Sequence, residues 1–302
     1  MAVLIMNIVY KIMFFFSISL VILAVIAVSV FGLKLGSDFR GGALMEIKFT
    51  DKNNTPEISK IQDWLKQENK IQELSISPAG DSSLIFRLGE IDEATHQKIL
   101  AGLKLKFGSF EEKQFSSVGA IIGKELKRKS LIATALVLFL IFIYIAFVFR
   151  KMARTLSPFA MSLAAIIALA HDVLIPIGVF SLLGRYQGIE ITAVFVAAIL
   201  TILGFSVSDT VVVFDRIREN VLRFGLKENF GVLVHKSIMQ TLTRSLNTTF
   251  ATLLSLVAIY FFGGESIKYF SLAMIIGIFL GAYSSIFVAS PILVWWSSQS
   301  RH

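Results

Sequence analysis

Three charged side chains lie inside long apolar stretches of the sequence, where a charge is energetically costly. They are Asp172, Asp209 and Arg244. On insertion scales each costs roughly 2.5–3.5 kcal/mol at the centre of a membrane helix, so such a residue is a functional hypothesis by default. These three residues are therefore the first candidates for chemistry.

The depth of each charge in its apolar stretch determines which charges can meet. Asp209 lies about 8 Å from the polar end of its stretch at 1.5 Å per residue, and Arg244 lies at a similar depth near the start of the next stretch. These two residues are predicted to pair. Asp172 lies about 20 Å into its own stretch by the same rise and is expected to be separate. Two alternative interpretations are an ion pair that only fixes helix packing, and an Arg244 that extends to the membrane surface.

Hydroxyl and amide groups surround both members of the predicted pair. Such groups can satisfy a buried polar site and hold water near it, although small hydroxyl residues also simply favour helix packing. The neighbours of the acid are Ser206, Ser208 and Thr210, and those of the arginine are Thr241, Thr243, Ser245, Asn247, Thr248 and Thr249.

His171 precedes Asp172 and suggests a proton relay. A histidine titrates near neutrality and a desolvated aspartate can do so too, so the two side chains could pass a proton between them. Adjacent residues point about 100° apart on a helix, however, so hydrogen bonding between helices is the alternative. A metal site is not expected, because four scattered histidines and no cysteine offer no recognisable ligand set.

A cluster of charged and polar residues ends the fourth apolar stretch. It is typical of a helix end that leaves the membrane and is solvated on the cytoplasmic side. The cluster consists of Asp215, Arg216, Arg218, Glu219 and Asn220.

The sequence contains no nucleophile elbow, phosphate-binding loop, dinucleotide fingerprint or metalloprotease motif. The chain is therefore not expected to be an enzyme, and no cofactor is predicted. A membrane can supply energy instead, because one charge that crosses 100 mV releases about 2.3 kcal/mol.

A hydrophobic content of 55% and long uncharged stretches are typical of integral membrane proteins. Each stretch is long enough to cross a hydrocarbon core of ~30 Å. The first is interpreted as a retained span rather than a cleaved signal, with 27–29 as a weaker cleavage candidate. The six stretches are residues 12–33, 130–149, 159–183, 191–214, 242–262 and 269–296.

The distribution of charge orients these spans. Basic residues concentrate in the connections 150–154 and 216–244, whereas the opposite connections hold one basic residue each. Because basic loops stay cytoplasmic, six transmembrane helices with both termini cytoplasmic are predicted. Outside residues 36–125 the chain holds 17 Lys and Arg against 7 Asp and Glu. We expect this excess to face anionic lipid and not nucleic acid.

Residues 36–125 form a mixed polar segment between the first two spans. Alternating stretches typical of strands and two amphipathic helical segments give the order β-α-β-β-α-β, which is the ferredoxin-like pattern. The predicted division is thus a first helix in 1–35, an extracytoplasmic α+β domain in 36–125, and a five-helix transmembrane domain with cytoplasmic loops in 126–302. The predicted core of the α+β domain consists of Leu44, Ile47, Ile61, Leu65, Leu84, Phe86, Ile99 and Leu103.

Five motifs spread over nearly the whole chain carry a family resemblance. They are "GSDFRGG" at 36–42, "SSVGAIIGKEL" at 116–126, "AHDV" at 170–173, "SDTVVVFDRIREN" at 208–220 and "QTLTRSLNTT" at 240–249. In this order they resemble the SecF family, the subunits of the SecDF protein-export complex in the resistance-nodulation-division (RND) superfamily. Asp38, Gly41 and Gly42 then match the signature loop of that family.

The resemblance implies an accessory subunit of the Sec translocase that uses the proton gradient to promote late steps of protein export across the bacterial cytoplasmic (inner) membrane. The implied partners are SecD, the SecYEG translocon, YajC as a further candidate, and the unfolded exported polypeptide. Asp209 and Arg244 match SecF positions implicated in proton conduction. Asp209 would then bind and release a proton, with Arg244 stabilising its deprotonated form.

Two positions depart from the usual pattern of the family, and two other functions remain as alternatives. Arg40 stands where the family usually has a small hydroxyl residue, and Ala120 stands where it often has proline. Both positions belong to the loop domain. The alternative functions are an RND-like proton-driven exporter of small molecules or lipids, and a purely structural assembly subunit.

Overall fold

A computed structural model describes residues 2–50, 56–68, 71, 74–79, 82–150, 157–225 and 229–299. The basic residues at 151, 154 and 227, which contribute to the predicted orientation, lie outside these ranges. The chain divides into two compact units. The helical unit combines Met1–Lys34 with Ile132–His302, and the sheet unit is Leu35–Leu131.

The described elements follow the predicted order of one span, a small α+β region and five further spans. The sheet region contains α2 (Ser37–Arg40), β1 (Gly42–Phe49), α3 (Ile58–Glu68), β2 (Leu74–Pro78), β3 (Ser83–Leu88), α4 (Glu93–Phe107) and β4 (Phe110–Val118). The long helices are α1 (Ala2–Phe31), α5 (Ala120–Val148), α6 (Pro158–Gln187), α7 (Ala193–Phe224) and α8 (Phe230–Phe262). The last span combines α9 (Glu265–Ser284), a π-helical turn (Ser285–Ala289) and α10 (Ser290–Gln299).

Within the described ranges, six helices are long and apolar enough to cross a membrane. This confirms the six predicted spans. Several helices continue beyond their apolar stretches: α7 extends through the charged cluster to Phe224, and α8 begins at Phe230, well before residue 242. The ends of an apolar stretch therefore do not mark the ends of a helix.

The sheet unit has the predicted ferredoxin-like topology. Its strand order is β2-β3-β1-β4, and all neighbouring strands are antiparallel. The carboxylate of Asp92 caps α4 by accepting a hydrogen bond of 2.9 Å from the backbone N–H of Thr95. Hydrogen bonds from the side chain and the backbone of Thr95 lower the pKa of Asp92. Gly108 follows the last residue of α4.

The core of the sheet unit confirms the predicted residues except Leu44. Along β1 the buried side chains are Ala43, Met45, Ile47 and Phe49, whereas Leu44 is half-buried. Successive residues of a strand point to opposite faces, so Leu44 and Ile47, three positions apart, cannot share the core face. The prediction for Leu44 was wrong because both residues were assigned to one face.

The two signature glycines allow close backbone approaches within the sheet unit. A Cβ at Gly41, where φ is +85°, would lie 2.7 Å from the Cα atom of Ala120. At Gly42, with φ of +129°, it would lie 2.6 Å from the carbonyl oxygen of Leu88. The N–H of Ala120 donates a hydrogen bond of 3.3 Å to Glu90. A proline at this position would lack that donor, so alanine supports a contact that proline cannot make.

We expect Gly41→Ala to destabilise the sheet unit more than Gly108→Ala does. Both glycines combine a positive φ with an extended ψ, a conformation that costs other residues about 1–3 kcal/mol. Gly108 has open space around it, whereas Gly41 meets the backbone of Ala120. Hydrogen exchange of the β1 and β4 amides in the full chain measures the difference. Equal losses of protection would contradict the role assigned to the close approach.

Candidate functional site

Asp172 on α6 is completely buried and hydrogen-bonded to groups on three helices. The hydroxyl of Ser206 on α7 donates to Oδ2 at 2.5 Å. The hydroxyl of Ser284 on α9 donates to the same oxygen at 2.7 Å, and Nδ1 of His171 lies 2.8 Å from Oδ1. These three groups replace water around the carboxylate, so the centre is polar and satisfied inside an apolar bundle.

Small residues on α9 let α7 come close enough for these bonds. A Cβ at Gly281 would lie 3.0 Å from the Cβ of Ser206, and one at Gly277 would overlap the side chain of Ile202. Glycine commonly permits such close approach between membrane helices. The π-helical turn begins directly after Ser284, and turns of this kind are frequent at functional sites.

The ring of His171 connects this centre to α1. It stacks against the ring of Tyr283, with centroids 6.1 Å apart and an interplanar angle of 18°. The Tyr283 hydroxyl donates to the carbonyl oxygen of Met13 at 2.8 Å and accepts from the Ser17 hydroxyl at 3.2 Å. The predicted couple of His171 and Asp172 is thus in contact, and its role as a relay stays a prediction.

Asp209 lies close to Asp172, contrary to the predicted separation. It is 7% exposed and follows Ser206 by three residues on α7, a rise of about 4.5 Å. Depth was counted from the ends of the apolar stretches, but α7 continues ten residues beyond its stretch, to Phe224. Counted from the helix ends, Asp172 is 14 residues after Pro158 and Asp209 is 15 residues before Phe224, so both lie about 21–23 Å along their helices.

The predicted ion pair between Asp209 and Arg244 does not form. Both residues are in the described part of the chain, and no nitrogen–oxygen contact within 4.0 Å joins them. Arg244 is exposed on α8, whereas Thr241, Ser245 and Thr249, which are spaced four residues apart, are buried. One residue turns a helix by about 100°, so α8 directs Ser245 inward and Arg244 outward.

Five buried polar atoms around the two acids have no hydrogen-bond partner among the described residues. Buried polar atoms are usually hydrogen-bonded to protein or to ordered water. Their concentration here is the feature that best distinguishes this region from ordinary helix packing. The atoms are His171 Nε2, Asp209 Oδ2, Thr210 Oγ1, Ser245 Oγ and Thr249 Oγ1.

The charged cluster beyond Asp209 forms ion pairs within one turn of α7. Arg216 contacts Glu219 at 2.5 Å, and Arg218 contacts Asp215 at 2.7 Å. The two acids are about half exposed, at 53% and 51% of their side chains. These partly exposed ion pairs are consistent with a polar end of the membrane helix at this cluster.

Two members of this cluster also connect α7 to α8, a role that the sequence does not predict. Arg216 Nε donates to Gln240 Oε1 at 2.7 Å. The buried amide of Asn220 donates to the Ser237 hydroxyl at 2.8 Å and to Gln240 Oε1 at 2.9 Å. The spacing of Ser237 and Gln240 gives no signal by itself, because these contacts depend on how the two helices are aligned.

The signature loop lies in the other compact unit. Asp38 is in the first turn of α2, and Gly41 and Gly42 join α2 to β1. Arg40 is exposed at the end of α2. The candidate chemistry therefore belongs to the helical unit, and these residues shape the backbone of the sheet unit.

Comparison with known proteins places this arrangement in a family. Residues 98–299 match the family "Protein export membrane protein SecD/SecF, C-terminal". The protein translocase subunit SecF of Thermobaculum terrenum is 43% identical over 296 residues, covering 94% of this chain and 90% of the relative. SecF of Anaerolinea thermophila is 37% identical, covering 97% and 94%.

Longer relatives and a solved structure agree with this match. SecDF of Bacillus subtilis is 33% identical over 96% of this chain and 37% of the relative. A crystal structure of SecDF, a translocon-associated membrane protein from Thermus thermophilus, has a TM-score of 0.82 and 32% identity over 96% of this chain. The chain spans 38% of the length of that SecDF chain. Helix order, sheet topology and these identities show that the chain belongs to the SecF family of protein translocase subunits.

Proposed function

We propose that this chain couples the proton gradient to late steps of protein export by the Sec translocase. Membership of the SecF family gives it a role in Sec protein export as a translocase subunit, and we propose that it acts without enzymatic chemistry. The proton-coupling step is supported by one observation above all, the pair of buried acids Asp172 and Asp209 on facing membrane helices.

The two acids differ in their surroundings, and this difference suggests their roles. Like charges that share a buried site disfavour simultaneous ionisation, so protons bind to the pair as a coupled unit. Asp172 is stabilised as a carboxylate by two hydroxyl donors and the imidazole. Asp209 has one buried oxygen without a hydrogen-bond partner among the residues that the structure describes, so we propose that Asp209 takes up and releases the proton.

Protonation of this centre would change the packing of α6, α7 and α9. The carboxylate of Asp172 links these three helices, and Asp209 lies one turn away on α7. A change of charge at such a junction can shift the equilibrium between two helix arrangements. We propose that this shift moves the sheet unit on the far side of the membrane, where it handles the unfolded exported polypeptide.

A longer relative supports the association with SecD, and the remaining partners are part of the proposal. The B. subtilis relative is named SecDF, and this chain corresponds to 37% of its length. We propose that a separate SecD chain completes the complex, that the complex acts with the SecYEG translocon, and that YajC is a further candidate partner. We propose an inner-membrane location with both termini cytoplasmic.

The direct test measures preprotein export into inverted membrane vesicles with and without a proton gradient. We expect the gradient to stimulate export only in vesicles that contain this chain together with SecD. A protonophore should remove the stimulation and leave ATP-driven export unchanged. Identical stimulation in vesicles that lack the chain would contradict the proposal. A small-molecule or lipid exporter would instead leave export unaffected by the chain.

Substitutions of Arg244 test whether its charge or its guanidinium geometry matters. Because exposed Arg244 makes no ion pair with Asp209, we propose that it acts through its charge alone, so Arg244→Lys should retain much of the gradient-stimulated export. Arg244→Met should reduce the stimulated rate about tenfold, which corresponds to about 1.4 kcal/mol. The vesicle assay compares the two variants at equal amounts of assembled complex. If lysine behaves like methionine, charge is not what matters at this position.

A further inference from the structure

Residues 35–131, the sheet unit, contain one histidine, and it is almost completely buried between α4 and β4. His96 is 3% exposed, and its ring stacks on the ring of Phe115, with centroids 3.6 Å apart and an interplanar angle of 3°. Nε2 lies 2.8 Å from Oε1 of Glu112 on β4, and Nδ1 lies 3.3 Å from Oε1 of Glu93 on α4. Each ring nitrogen therefore faces a carboxylate, one from each element.

A β-bulge in β4 directs two of these partners to the same side of the strand. The register between β1 and β4 shifts at Lys113, which lacks a register partner on β1, both strands lying wholly within the described ranges. Residues three apart on a regular strand point to opposite faces, and the extra residue of a bulge reverses this. Glu112 and Phe115 can therefore both face α4. The backbone itself thus builds the surroundings of the buried ring.

The number of N–H groups on the ring decides which of the two contacts can be hydrogen bonds. A neutral imidazole has one N–H, whereas the imidazolium has two. The neutral ring donates to one carboxylate and turns a lone pair toward the other, and two acceptors in contact are unfavourable. The imidazolium donates to both carboxylates, so its buried charge is compensated on both sides. The geometry around His96 therefore fits the protonated ring.

The charged groups next to this ring are acidic or already paired. Hydrogen bonds from Gln97 and from the imidazole lower the pKa of Glu93, so this side chain remains a carboxylate at neutral pH. Asp92, the N-cap residue of α4, adds a negative charge at the same helix end. On β4, Lys113 contacts Glu111 at 2.6 Å. The surroundings of the ring are thus negative, which favours a bound proton.

We propose that His96 and its two carboxylates form a second proton-binding site, outside the membrane spans, which holds α4 against β4 while the proton is bound. Release of the proton leaves one ring nitrogen as an acceptor against a carboxylate and weakens the link between the two elements. The folded sheet unit binds this proton more tightly than the unfolded chain does, so the stabilising contribution is present at low pH and is lost as pH rises. Because the sheet unit is proposed to lie on the far side of the membrane, the site responds to the pH on that side, and this last step rests on the proposed function.

The ring nitrogens of His96 report the proton directly. NMR of the full chain, labelled at its four histidines, distinguishes imidazolium from neutral imidazole, and His96→Gln identifies the signal of this ring. In the wild type we expect both ring nitrogens to carry a proton at about pH 6.5, the ordinary midpoint of histidine. Glu112→Gln keeps the size of the side chain and an acceptor oxygen but removes the charge. We expect it to lower the ratio of imidazolium to neutral imidazole about tenfold, equivalent to about 1.4 kcal/mol.

Glu111→Gln is the matched control on the same strand. The side chain of Glu111 is 69% exposed and pairs with Lys113, so removal of its charge should leave the ratio at His96 nearly unchanged. Two results would overturn the site and reduce His96 to a packed core residue. One is an equal ratio in Glu111→Gln and Glu112→Gln, and the other is a wild-type ring with a single protonated nitrogen at about pH 6.5.

Hydrogen exchange of the α4 and β4 amides in the full chain, corrected for the intrinsic effect of pH, tests the link between the two elements. Histidine titrates in this range, so protection in the wild type should fall about tenfold from about pH 6 to about pH 8 and should stay constant in His96→Gln. The same fall in both proteins would assign the pH dependence to other groups and overturn the proposed link. Neither measurement requires a proton gradient or export, so failure of this proposal and failure of the proposed function are distinguishable.

Discussion

Asp209→Asn is expected to abolish the gradient-stimulated part of export while the chain still inserts, folds and assembles. Asparagine has nearly the same size and shape, but it cannot bind or release a proton. One oxygen of Asp209 has no hydrogen-bond partner within the described part of the chain, so the substitution removes little that stabilises the fold. The measurement is preprotein export in vesicles with and without a gradient, normalised to the amount of assembled complex.

Asp215→Asn provides the matched control on the same helix. Asp215 is about half exposed and forms an ion pair of 2.7 Å with Arg218, away from the buried centre. Surface ion pairs contribute only about 0–1 kcal/mol, so this variant should assemble and show near-normal stimulation. If Asp209→Asn also behaves like the wild type in an assembled complex, Asp209 is a packing element and the proposed proton step fails.

The sequence predicts the elements well because their patterns are local. Each span is a continuous apolar stretch, and the alternation along β3, with Leu84, Phe86 and Leu88 buried, identifies its core face directly. The signature glycines, by contrast, are explained only by the structure, in which Gly41 approaches Ala120 and Gly42 approaches the carbonyl oxygen of Leu88. Local patterns therefore predict the fold class, including the strand order within the small domain.

The candidate site depends on contacts that no local pattern contains. Ser284 donates to Asp172 across 112 positions of sequence, and nothing around Ser284 marks it as different from other serines in apolar helices. The predicted pairing of Asp209 with Arg244 relied on depth alone and omitted the direction of each side chain around its helix. The same limit applies to His96 in the sheet unit, whose contact of 2.8 Å with Glu112 depends on how α4 packs on β4.

Asp172→Ala is expected to destabilise the helical unit, whereas Asp172→Asn should leave it folded and remove gradient-stimulated export. Alanine leaves the donors on Ser206 and His171 buried without an acceptor, whereas the Ser284 hydroxyl can still donate to the carbonyl oxygen of Gly281. Each orphaned group costs about 1–3 kcal/mol, so we expect a loss of at least about 2 kcal/mol in the free energy of unfolding. Asparagine keeps one acceptor oxygen and the size of the side chain, so its loss should be about 1 kcal/mol. Thermal unfolding in detergent measures these differences.

The comparison of the two variants separates a proton relay from interhelical hydrogen bonding. If Asp172 only joins helices, export should follow stability, and Asp172→Asn should retain most of its gradient stimulation. If Asp172 and His171 exchange protons with Asp209, Asp172→Asn should lose the stimulation at nearly full stability, because an amide cannot titrate. Ser284→Ala removes one hydrogen bond and keeps the carboxylate, so it should lose about 1 kcal/mol of stability and retain stimulation. Stimulation that falls in proportion to stability across all three variants would assign Asp172 to helix packing and leave Asp209 as the sole proton carrier of this centre.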